Sequence, residues 1–235
     1  MSESSGEWRS QCDLLRRLLF EPGRRAELQV GAGLLRWTDA RQLDSTVRRL
    51  IARVGSSHRR GALPVKEMFG RTLEGMNDSD FAALLAKFCA STWFARHGEV
   101  VDQCDQLCIE EAMYRFLCAQ NIGPADLRRL EFVDAMIRAL TVQKRPAFQI
   151  PAEIESAPFG YVALATLAGE DHLFAVVGGR MLRGPIGALT AEVIRRRAIR
   201  PADAAIATTA WDAAVTQLAA LGLVYGGEAR TDRSL

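Results

Sequence analysis

Lysine is nearly missing from this chain. Of its 30 Lys and Arg side chains, only Lys66, Lys87 and Lys144 are lysines. An arginine bias suits phosphate or carboxylate recognition, and it also follows from the base composition that makes Ala and Gly abundant. Histidine is scarce as well, with three residues. A catalytic histidine would have to be one of these, and no Ser-His-Asp or Cys-His arrangement accompanies them. No apolar run reaches the roughly 18 to 20 residues that span a bilayer, so no membrane partner is expected. The opening residues Met1-Ser2-Glu3-Ser4-Ser5-Gly6-Glu7 are polar and acidic, unlike a signal peptide. The five cysteines are odd in number and sit in helical patterns, which reads as reduced thiols in a cytoplasmic protein. Val30-Gly31-Ala32-Gly33 lacks the third glycine and the parallel βαβ frame of a dinucleotide site, so it reads as a hairpin turn. No cofactor is implied.

What the chain does have is an internal repeat. Val177-Gly178-Gly179-Arg180-Met181-Leu182-Arg183 echoes Val30-Gly31-Ala32-Gly33-Leu34-Leu35-Arg36, and at the same offset Arg195, Arg196 and Arg200 fall on Arg48, Arg49 and Arg53. After a gap, Trp211, Ala213, Val215, Leu218, Ala220, Leu223 and Val224 fall on Phe81, Ala83, Leu85, Phe88, Ala90, Trp93 and Phe94. Self-similarity of this kind sets architecture before any local reading. It predicts an α+β, mostly helical chain with two similar modules joined by a helical middle segment. The expected division is 1–98, an N-terminal helix plus the first module; 99–145, a helical connector; 146–228, a β-hairpin plus the second module; and 229–235, a tail.

Apolar spacing places the elements. Helices are expected over 7–20, from Thr38 or Asp39 through Val54, near 63–73, and from a Ser79 or Asp78 cap to Ala90. Trp93 and Phe94 should follow as a strand. The middle segment reads as helices over 100–120 and from Pro124 to about Leu140, and 148–154 as extended. A hairpin joins 161–167 to 173–177 through Ala168-Gly169-Glu170-Asp171. Helices over 189–199, 201–207 and 210–221 then lead to a short strand at Leu223-Val224-Tyr225. Leu85, Phe88, Trp93, Val215, Leu218 and Leu223 are the expected core.

Each copy thus has one order: short hairpin, helix, short helix, turn, apolar helix, strand and glycines. The close Val215-Thr216-Gln217-Leu218-Ala219-Ala220-Leu221-Gly222-Leu223-Val224 resembles the last helix and first wing strand of winged-helix domains. Over 26–98 and 172–228 the pattern is similar to the winged-helix accessory modules of bacterial cupin-type oxygenases and of class I methyltransferase regulatory regions. The catalytic domains of both families are missing. The resemblance implies a non-catalytic module.

Charge separates the functional readings. Residues 1–98 carry 16 cations against 11 anions, whereas 146–235 carry 8 against 9. A DNA-reading helix needs polar and basic side chains. The helix from Thr209 to Leu218 has no cation, and 79–90 has only Lys87. Neither neutralises several phosphates, and Arg24, Arg25, Arg59 and Arg60 remain as phosphate-contact candidates. The reading is therefore a protein–protein adaptor or regulatory subunit, with Trp37, Phe159, Tyr161 and Tyr225 at hairpin edges and turns as protein-binding candidates. Its alternative is a DNA-binding transcriptional regulator with weak nucleic-acid contacts. A third is a metalloenzyme built on Cys104, Cys108 and His97, since cysteines at i and i+4 share a helical face. His97 and Glu99 with His172 also have the form of a two-His-one-carboxylate iron site.

Overall fold

The computed structural model describes residues 64–98, 107–142, 148–200 and 208–225, together with helical residues at Leu14, Arg17, Leu19 and 44–49. The chain is α+β: the described residues form helices and a four-stranded antiparallel sheet. It divides into two compact units: residues 1–123 with 147–149, and residues 124–146 with 150–235. The segment expected as a connector is divided between them. The hairpin expected around Gly31-Ala32-Gly33 and the helix expected over 201–207 lie outside the described residues.

In the first unit α1 is a single turn, Val65–Met68, entered through Pro64. Helix α2 runs Asp78–Ala90, and its cap is Asn77, whose side chain accepts from the Asp80 amide. Ser79 and Asp78, the expected caps, fall inside the first turn. There Asp78 and Asp80 oppose the positive helix end. The buried residues Leu84, Leu85, Phe88 and Cys89 recur at one-and-four spacing and form one stripe.

Helix α3 spans Thr92–Gly98, where a strand was expected at Trp93 and Phe94. A two-residue apolar run does not distinguish helix from strand. The arbiter is Ser91, whose hydroxyl accepts from the Phe94 amide at 3.2 Å and starts a new helix. Phe94 then meets Phe88 edge-on at 5.2 Å, and Phe116 of α4 closes on Phe88 at 5.4 Å. Helix α4, Ile109–Ala119, is capped by the Cys108 sulfur and buried on nearly every side. It ends at Asn121, which takes a positive φ while its amide and that of Ile122 return to Cys118 and Leu117. This is the Schellman pattern.

The second unit opens with α5, Ala125–Val142. Strands β1 (Glu155–Ala157), β2 (Gly160–Leu167), β3 (Glu170–Val177) and β4 (Arg180–Ile186) form a meander in the order β1-β2-β3-β4. Gly160 to Leu167 pair in register with Val177 to Glu170, so the hairpin expected from the sequence lies within β2 and β3. Its turn, Ala168-Gly169, and the β3–β4 turn, Gly178-Gly179, have positive φ at both residues. Such turns twist in the sense the strands require.

Alternation along the strands gives the sheet two apolar faces. Val162, Leu173 and Ala175 face α6 (Ala188–Arg195) and α7 (Thr208–Ala220), whose Val193, Ile194, Trp211 and Leu218 complete that core. The other face carries buried Ala163, Ala165, Phe174 and Val176, and α5 packs across β2, β3 and β4. Leu223-Val224-Tyr225, expected as a strand, is a bend. The positive φ of Gly222 ends α7, and Leu223 and Val224 turn into the core instead of pairing. Leu85, Phe88, Leu218 and Leu223 are buried as expected, whereas Trp93 and Val215 are half-buried.

Helices α2 and α7 are both 13 residues long. At the offset that places Trp211 on Phe81, their first and last residues coincide. The copies diverge after them, into α3 in one and a core-seeking bend in the other.

Candidate interaction surface

Among the described residues the exposed large apolar side chains are Ile199, after α6, and three at one end of the second unit's sheet. Phe159, in the β1–β2 turn, is 71% exposed; Leu221 and Tyr225, in the turn that follows α7, are 52% and 58% exposed. The backbone sets this placement. The Phe159 carbonyl accepts from the Gly178 amide at 3.0 Å, which brings the β1–β2 turn beside the β3–β4 turn. One edge of the Phe159 ring rests on Gly222, where an added Cβ would lie 2.7 Å from ring Cδ2. Phe159 therefore touches the turn that carries Leu221 and Tyr225, and most of its ring stays exposed. Exposed aromatic surface of this kind marks interaction sites more often than scattered single residues do.

The four expected protein-binding residues separate. Phe159 and Tyr225 are exposed at this end. Tyr161 is half-buried in β2 between Ser156 and Val176, so a partner reaches less of it. Trp37 lies outside the described residues. Leu221 was missed because it continues the apolar stripe of its helix. The signal was Gly222, which in the left-handed C′ position stops the helix just before Leu221.

The basic runs are internally occupied where described. Arg195 donates to Asp171 at 2.6 Å, Arg196 pairs with Glu192, and Arg197 pairs with Glu155 at 3.0 Å. Arg48 and Arg49 bond to Asp44 and Ser45 one turn earlier. The phosphate-contact candidates Arg24, Arg25, Arg59 and Arg60 lie outside the described residues. The exposed positions of α7 are Thr, Ala, Gln and one acid, Asp212.

The candidate metal residues meet in part. His97 Nδ1 lies 2.9 Å from the Leu107 carbonyl, at the start of the segment that caps α4 with Cys108. Burial pushes the Cys108 thiol well above its usual range, and the neighbouring Glu110 carboxylate pushes it further. Burial alone raises Cys89 to about 12. Among the described residues no group of three or more His, Cys, Asp or Glu side chains is placed to hold a metal ion. Cys104 and Glu99 lie outside them. His97 belongs to the first unit and His172 to the second, where its Nε2 is 3.4 Å from Glu170.

Among the described residues no helix is long and apolar enough to cross a membrane. Compared with protein-family models, curated proteins and solved structures, the chain matches none.

Proposed function

We propose that this chain is a non-catalytic interaction protein, an adaptor or regulatory subunit built from tandem winged-helix-like modules. The observation that carries the reading is the exposed Phe159, Leu221 and Tyr225 at one end of the second sheet. Aromatic anchors supply most of the energy of protein interfaces. The coincidence of α2 and α7 at the repeat offset supports two related modules. The three described cysteines are free thiols, which fits a cytoplasmic setting.

The competing reading, a DNA-binding regulator, requires cations on the helix that enters the groove. Helix α7 presents none, and the arginines at the end of α6 are held by carboxylates. The test is capture from native lysate with the parent chain and a Phe159→Ser/Tyr225→Ser variant. Both substitutions fall on exposed positions, so stability should stay within about 0.5 kcal/mol of the parent. Proteins retained by the parent should be lost from the variant. Equal recovery by both would overturn the assignment of this surface.

A further inference from the structure

We draw no further inference here: the strongest candidate, the exposed apolar patch of Phe159, Leu221 and Tyr225 at the turn end of the second unit's sheet, carries nothing beyond the function already proposed, because nothing in the structure shows what covers it.

Discussion

Arg195 Nη2 lies 2.6 Å from Asp171 Oδ1, which joins the last turn of α6 to the first residues of β3. The Thr166 hydroxyl donates to the same oxygen at 2.7 Å from β2. One carboxylate therefore links two strands and a helix.

That carboxylate predicts a pH dependence. The Thr166 hydroxyl, followed by the Arg195 guanidinium, holds Asp171 below the usual carboxylate range. A depressed folded-state value contributes stability that is complete above the unfolded value, near pH 4, and disappears as pH falls through the folded value. The Arg195 side chain is 44% exposed, so solvent screens the pair and the contribution is small. Asp171→Asn should destabilise by up to about 1 kcal/mol at pH 7, and the gap from the parent should be smaller at a second pH, well under the unfolded value near 4. Urea titrations at the two pH values check this. An equal deficit at both would place the effect in packing.

Gly160 should tolerate no side chain. A Cβ there would sit 1.8 Å from the Val176 carbonyl oxygen, and backbone cannot swing aside as a side-chain tip can. Gly160→Ala should cost at least the upper part of the roughly 1 to 3 kcal/mol typical of overpacking. Thermal unfolding measures it, and an unchanged midpoint would show that β2 can move.

Arg197 should be improvable. It stands at the C′ position of α6 with φ +50°, where its amide and that of Ala198 return to Ile194 and Val193. A left-handed conformation costs an ordinary residue about 1 to 2 kcal/mol that glycine does not incur. Against this, Arg197→Gly forfeits an exposed ion pair with Glu155, which contributes less than about 1 kcal/mol. Net stabilisation on the order of 0.5 to 1 kcal/mol is expected in chemical denaturation. A loss would mean that the Glu155 contact outweighs the strain.

These residues also show how far the sequence could be read. Helices α2 and α7 were legible from their long apolar periods, whereas their starts were not: Ser79 and Asp78 fall inside the first turn of α2, and α7 begins two residues before Ala210. The β2–β3 hairpin was legible from Val, Ala and Leu runs on either side of Ala168-Gly169. Strand β4 was not read from the sequence, and periodicity could not show that β2, β3 and β4 form one sheet. Strand β1 is three residues long and has no period to detect. Trp93-Phe94 and Leu223-Val224 were misread for one reason: a short apolar run records burial, and the local turn decides whether it pairs, coils or bends. At the candidate surface, Phe159 and Tyr225 stood out as aromatics beside turns. Leu221 did not, because its exposure depends on where Gly222 stops the helix.

The proposed working surface is the apolar patch of Phe159, Leu221 and Tyr225. The most direct measurement is the affinity of the complex recovered from lysate, followed from about 50 to about 200 mM salt with and without nuclease. Apolar contacts are scarcely screened, whereas contacts to several phosphates lose about a thousandfold or more over that range. The account predicts a change of less than about tenfold, survival of nuclease, and loss on Phe159→Ser/Tyr225→Ser. A steep salt dependence, nuclease sensitivity and sequence-selective nanomolar binding to duplex DNA would contradict it.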